Sequence, residues 1–421
     1  MSAAFQSPSR SLTTRDYLFI TLVVILILAI STGLVFVNLK LKDGGDFYVH
    51  WVASRGFLLD KIDPYGAEVP ARVQQIVYAD SAQAGDKPYI LDTPFQLLLL
   101  YFPFSLLSDP HLARALFTLI LELAWLGLAI LSLRLTDWET PPIFIILFVV
   151  FMAFNFYFYQ ALHEASPVLL LGFLYAEILF LLRGEMDELA GVLLAASLYY
   201  WEVGAPFLIL LLLRMVYEKR SRVFSGFFML SLILLFISFI GYPNWIIPFL
   251  RANANNLRAD FGFNIHTIFT NLWPAYGGII AWIFIAVLVL ALGYEWTMAR
   301  IGESRRFYWA ACLSLAVAPL LGFRTEMAHL SVLIIPLALV FAITHERWRK
   351  FGNGLAYLLL LVVLLIPWAL YIFAFDHFGP ITQDIIFLFL PLFTIIGLYW
   401  IRWWAIRPPR IWTDLIPRPN S

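Results

Sequence analysis

The sequence predicts an all-α polytopic membrane protein, and two observations predict it. Hydrophobic residues make up 62% of the 421 and charged residues 13%, against about 45–50% and about 25% in a soluble globular chain. Apolar runs of about 20 residues recur along the whole length, each able to cross a hydrocarbon layer of about 30 Å at 1.5 Å per residue. A surplus of that size cannot be hidden in one water-facing core. A formal net charge of zero excludes a strongly basic nucleic-acid binder, because phosphate neutralisation needs a concentrated Lys/Arg surface. Cys312 is the single cysteine, so neither a disulfide framework nor a cysteine metal site is available.

By hydropathy, about twelve spans are expected, near 17–39, 93–108, 111–134, 142–160, 165–183, 188–214, 222–242, 277–299, 306–323, 328–344, 352–375 and 383–404. The first follows Arg10 and Arg15, is longer than a signal-peptide core and has no small-residue cleavage site, so it reads as a retained anchor behind a cytoplasmic N-terminus, 1–16. Segments carrying Arg214, Lys219, Arg220 and Arg222, then Arg300, Arg305 and Arg306, then Arg347, Arg349 and Lys350, and the tail 405–421 with Arg407 and Arg410, all fit one side, the cytoplasm. The other side receives the loop 40–92, the segment 243–276 and the turns 322–329 and 376–384. The whole chain reads as one integral membrane domain, 1–421, without an evident repeat. Two segments are irregular. The stretch 93–108 is short and holds Pro94 and Pro103, and 188–214 is interrupted by Trp201, Glu202, Gly204 and Pro206; broken helices are tolerated at membrane depth where they line a cavity.

The first loop is far longer than an ordinary connector, and long loops at such positions carry function. Residues 46–59 read as a helix along the membrane interface, with Phe47, Trp51, Phe57 and Leu58 on an apolar face and Asp46 and His50 one turn apart on another. Aromatic residues at headgroup depth need no catalytic role. A carboxylate at the mouth of an apolar bundle is different, because it loses hydration and tends to be paired or functional; the plainer alternative for Asp46 is a helix N-terminal acid favoured by the dipole. Arg324 and His329 bracket a short turn and are donors suited to a phosphate. Lys61, Arg251 and Arg258 are further cations, and His266 sits in a segment of Asn, Arg and aromatics of the kind that contacts sugars. Glu122 and Glu177 are intramembrane carboxylates without an evident partner. Asp46 with His50 supplies only two ligands, so no metal is predicted. Phosphate-binding Gly-rich loops and a GxSxG elbow are lacking.

The order Asp46-Phe47-x-Val49, then Ala53, then Asp63-Pro64-Tyr65 resembles the opening motif of glycosyltransferase family 87, the GT-C-class membrane enzymes that use polyprenyl-phosphate sugars. The similarity continues through Thr93-Pro94 and Pro103, then His163-Glu164-Ala165-Ser166 at the place of a Gly-Gln-x-Asn element, then the Ala-Gly-Val-Leu-Leu stretch Ala190–Leu194, and Pro319 through His329. The pattern departs at His50 and Trp51, at Lys61, at the single Pro94, and in lacking a lysine whose place falls near Trp201 and Glu202.

The resemblance implies a GT-C-type helical bundle with juxtamembrane helices in the first loop. It also implies an active site on the extracytoplasmic face of a multi-pass cell-membrane protein, with inverting transfer of a sugar, mannose or arabinose, to a glycolipid, glycan or protein acceptor, and no cofactor. Asp46 is then the general base, Arg324, His329 and Lys61 meet the donor phosphate, and His50, Tyr65, His163, Glu164 and His266 meet substrate. A partly desolvated carboxylate suits proton abstraction near neutral pH. The main alternative is a secondary transporter or flippase of a lipid or lipid-linked sugar, a class that favours matched broken spans and midplane ionisable residues. A third is a chain that binds lipid-linked sugar without turnover.

Overall fold

The computed structural model describes residues 25, 28–40, 44–78, 87–256, 262–301, 303–348, 351–375 and 379–406. The N-terminal segment 1–16, most of the first expected span, Arg258 and the tail from 407 lie outside them. The described chain is helical throughout and has no strand, only an isolated bridge between Phe263 and Thr325.

In chain order the helices are α1 Leu28–Asn38, α2 Gly45–Arg55, α3 Glu68–Tyr78, α4 Phe95–Ser105, α5 Pro110–Leu135, α6 Pro142–Phe154, α7 Phe156–His163, α8 Val168–Arg183 and α9 Asp187–Ala196. They continue as α10 Trp201–Tyr217, α11 Ser221–Gly241, α12 Ile246–Asn256, α13 Ile265–Leu272, α14 Gly277–Ile301, α15 Ser304–Val317, α16 Ile334–Arg347, α17 Gly352–Ala369 and α18 Pro380–Ile406. Among the described residues, seven helical segments are long and apolar enough to cross a membrane, or up to eight if the bent pair α6 and α7 is one span. The expected span at 93–108 is the 11-residue α4, about 16 Å long and so only half a bilayer. The expected spans at 165–183 and 306–323 are helices of 16 and 14 residues.

The core lies around α16, buried from Ile334 through Thr344, as a helix apolar on all sides requires. By contrast α11 and α14 keep large apolar side chains such as Phe236, Ile240, Trp282 and Leu290 exposed, the surface expected against lipid. Close packing of α9 on α11 depends on two glycines: a Cβ at Gly191 would lie 2.0 Å from the Val223 carbonyl oxygen, and one at Gly226 2.0 Å from that of Glu188. The Ala190–Leu194 stretch is therefore a helix contact.

The α2 helix departs from expectation. Instead of lying along an interface it is buried nearly all round, from Phe47 through Ser54. Phe47 packs against Tyr101 and Phe117 with ring centroids 5.8 and 5.2 Å away, Tyr48 Oη lies 3.0 Å from His111 Nδ1, and Trp51 Nε1 donates to the Phe104 carbonyl at 2.9 Å. Such satisfied polar tips make these aromatics core residues, whereas Leu58, in the turn that follows, is exposed.

Charged side chains gather at separate cavities. Arg183, Arg214, Arg220, Arg222 and Arg305 line one cavity of about 860 Å³ between helix ends, with Arg183 paired to Asp137 at 2.6 Å and Arg220 to Asp187. Asp46, Lys87 and Arg324 line a different one.

Candidate active site

Helical structure is broken at four places that bear on the site. The first is local to α7, where Asn155 adopts an extended conformation and its side chain caps the new helix by accepting from the Tyr157 and Phe158 amides at 3.0 and 3.1 Å. The chain turns by 41° there. The second is the 3-10 turn Ser197–Tyr200 between α9 and α10, followed by non-helical backbone at Gly204 and by Pro206, which removes an amide from the ladder. The third and fourth are the 3-10 segments Ala318–Leu320 and Met327–Leu333. Between these two, Arg324, Thr325 and Glu326 run without helix, and Thr325 exchanges both backbone hydrogen bonds with Phe263 at 2.7 and 2.9 Å.

The break at Tyr200 and the non-helical stretch leading into Met327–Leu333 line a cavity of about 240 Å³ that also includes Asp46, His50, Lys87, Arg324 and His329. Asp46, Val49 and His50 reach it together because i, i+3 and i+4 share a helix face. The Asp46 carboxylate is 12% exposed and accepts a hydrogen bond from Tyr200 Oη, 3.2 Å from Oδ1 and 3.4 Å from Oδ2. It is neither out in bulk solvent nor locked by an arginine. The plainer role of a first-turn acid is met as well, since Asp46 opens α2, but that alone would not place it on a cavity.

His50 holds this arrangement from behind. Its Nδ1 lies 2.8 Å from the Asp46 carbonyl oxygen, which can only accept, so Nδ1 carries the proton. Its Nε2 lies 2.9 Å from Thr93 Oγ1, and its ring stacks on Tyr101 at 4.7 Å. The Tyr65 hydroxyl donates to the Thr93 carbonyl at 2.9 Å. Asp46, His50, Thr93 and Tyr65 thus form one connected set, and the spacing of the opening motif has a physical cause.

A second cavity of about 260 Å³ adjoins the first and shares Lys87, Arg324 and Glu326 with it. Lys87 Nζ lies 2.7 Å from Glu326 Oε1 in the shared wall. Phe156, Gln160 and Glu164 line it, a stripe of four-residue steps running off α7. The Glu164 carbonyl accepts from the Phe47 amide at 3.4 Å, which docks α2 onto the end of α7. Burial, then the neighbouring Glu326 carboxylate, pushes the Glu164 carboxyl well up. Burial acts on Glu326 in the same sense, but the Lys87 ammonium, His329 and the hydrogen bonds from Lys87 and Glu164 together outweigh it and hold that carboxyl down to about 2. Lys87 itself, despite burial, is held above the ordinary lysine value by the carboxylates of Glu326, Glu164 and Asp46. The group is therefore a Lys87–Glu326 ion pair with the Glu164 carboxyl hydrogen-bonded beside it to Glu326. His329 caps the same turn: the Glu326 amide donates to its Nδ1 at 3.3 Å, so a neutral ring keeps its proton on Nε2.

Of the residues singled out in the sequence, Asp46, His50, Arg324 and His329 share the first cavity and Glu164 the second. Tyr65 supports them through Thr93. Lys61, in a left-handed turn after α2, the half-buried His163 beside Tyr159 and the exposed His266 beside Trp282 line neither. Lys87, Tyr200, Glu326 and Gln160 were not legible as site residues; only Tyr200 carried a signal, standing directly before the interrupted stretch that begins at Trp201. No three His, Cys, Asp or Glu side chains among the described residues converge in a metal-ligating arrangement. Compared with known proteins, the chain matches no family model, no curated protein and no solved structure.

Proposed function

We propose that this chain is a membrane glycosyltransferase that moves a sugar from a polyprenyl-phosphate donor to an acceptor hydroxyl with inversion, Asp46 acting as general base. One observation carries the reading: a largely desolvated carboxylate, oriented by Tyr200, faces the same cavity as Arg324, His329 and Lys87. A base and an adjoining cluster of phosphate-matched donors are what such a transfer needs, since a lipid phosphate is already a good leaving group. In the step, the acceptor oxygen attacks the anomeric carbon and gives its proton to Asp46, while the bond from that carbon to the phosphate oxygen breaks and the electron pair leaves with the lipid phosphate. Arg324, His329 and Lys87 meet the charge that develops there. Lys87 shares its cavity with Trp201 and Glu202, so the first loop supplies the ammonium that the family resemblance would place near those two residues. Trp201, 45% exposed and packed edge-on to Phe323 at 5.2 Å, offers an apolar approach for a prenyl chain.

In this reading the arginine-lined end faces the cytoplasm, the Asp46 cavity faces the opposite side, and the shorter helices α8 and α15 also cross, with α4 a half-span. The test is sugar release from a polyprenyl-phosphate hexose or pentose by the purified chain, compared with Asp46→Asn. Loss of release in the variant supports the transferase. Equal release, or donor flux across liposomes without any release, overturns it, the latter in favour of a transporter.

A further inference from the structure

The arginine-lined cavity of about 860 Å³ plays no part in the transfer proposed above. It shares no lining residue with the Asp46 cavity and sits at the opposite end of α16: Leu339 and Ile343 line it, whereas the segment leading into Ile334 carries His329. Its size is that of a small-molecule site, far beyond a bare phosphate ion. Ion pairs build the wall. Arg183 holds Asp137 at 2.6 Å, Arg220 holds Asp187, and Arg214 holds Glu218 while donating to the Ala299 carbonyl at 2.7 Å. Those pairs occupy three of the four carboxylates in the lining and leave Arg222 and Arg305, with Glu185 the one remaining acid. All three are exposed and make no ion pair among the described residues; Glu346 lies near Arg305 but outside the lining.

Neighbouring side chains set the depth of this cavity. Met215 and Ala405 line it near the ends of α10 and α18, and on those same ends Tyr217, Trp400 and Trp403 are exposed. Exposed Trp and Tyr at the ends of membrane-crossing helices mark the headgroup layer. The anion within reach at that depth belongs to a lipid.

We propose that this cavity binds the headgroup of an acidic phospholipid from the leaflet on its side, its phosphodiester held by Arg222 and Arg305. A phosphodiester carries one negative charge across the physiological pH range and two free oxygens that match a guanidinium fork. Asp137, Asp187 and Glu218 repel it little, because each is already neutralised by its arginine. The apolar part of the lining, with Leu182 and Phe307, suits the glycerol and the first methylenes. A choline headgroup brings its own cation against the two arginines and is disfavoured. Basic pockets between helix ends are the usual seat of such headgroups.

The experiment is native mass spectrometry of the full chain from detergent, with didecanoyl phosphatidylglycerol and didecanoyl phosphatidylcholine in equimolar competition. Phosphatidylglycerol is expected to be retained at least about tenfold over phosphatidylcholine. Its affinity is expected to fall about fivefold in Arg222→Gln or Arg305→Gln and about twentyfold in the double variant. It should be unchanged in Arg251→Gln, an exposed arginine outside the cavity. Glu185→Gln is expected to strengthen binding about twofold, a gain that a damaged fold cannot produce. Equal retention of the two lipids, or a preference that survives the double variant, overturns the site. Displacement of phosphatidylglycerol by inorganic phosphate in large excess shows a site for free phosphate and overturns the lipid as its occupant.

Discussion

Tyr200 and Asp46, 154 positions apart in the chain, meet through a hydrogen bond from the phenol to the carboxylate at 3.2 Å. The contact exists because α10 is broken at its start and α2 is docked on α7, which brings two otherwise remote elements to one cavity. Asp46→Asn preserves the size of the side chain and an oxygen that accepts from Tyr200, so the fold is retained while the base is lost. Transfer is expected to fall about 10²- to 10⁴-fold. Tyr200→Phe removes only the orienting bond, and kcat is expected to fall about 10- to 100-fold with KM nearly unchanged. Steady-state release of labelled sugar from a polyprenyl-phosphate donor checks both.

His50 is 2% exposed, with both ring nitrogens held by protein. Replacing it with alanine leaves the Thr93 hydroxyl without its partner, takes the side-chain bond off the Asp46 carbonyl and takes a ring off Tyr101. A loss of about 1–3 kcal/mol is expected from the unsatisfied groups, seen as a lower melting temperature in detergent. Activity should fall with it, because the carboxylate is carried on the same turn. Thr93→Val tests the relay separately and is expected to reproduce the smaller part of the effect.

Much of this fold was legible from periodicity and composition alone. The apolar runs gave the class, and the interruption at Trp201, Gly204 and Pro206 marked a break that lines the cavity. Two things were not legible. The burial of α2 depends on what packs around it, namely Phe104, His111 and Phe117 from later elements, so its aromatics were indistinguishable from an interfacial belt. The role of Lys87 depends on Glu326, 239 positions away, a pairing that no local spacing encodes. Helix length was also overcounted, since hydropathy does not register that α4, α8 and α15 stop after 11, 16 and 14 residues.

The Lys87, Glu326 and Glu164 group gives stability a pH dependence of defined sign. Glu164 has its folded value raised above the ordinary 4.5, so its contribution is full below that value and is lost as pH rises through the folded one. Glu326 is lowered from 4.5 to about 2, so its contribution is present above 4.5 and is lost as pH falls toward 2. The melting temperature is expected to decline on both sides. Glu164→Gln, which fixes the neutral form, should flatten the decline at higher pH and leave the acid limb in place. Glu326→Gln should remove the acid limb and lower stability at neutral pH, because Lys87 loses its nearest counter-charge. Thermal melts across pH in a constant detergent read both outcomes.

Cations on the cavities and cations off them should separate cleanly in donor kinetics. Arg324 and Lys87 line the first cavity, where charge on a departing phosphate develops in a site partly screened from water. Arg324→Ala and Lys87→Met are each expected to lower kcat/KM for the lipid donor about 10²- to 10³-fold. Lys61 and His266 have the right charge but the wrong place, one in an exposed left-handed turn and the other on the outer face of α13. Lys61→Ala and His266→Ala are expected to change the same constant by no more than about twofold, as surface substitutions do. A large loss in Lys61→Ala with none in Lys87→Met would move the phosphate site out of the cavity and back to the first-loop turn.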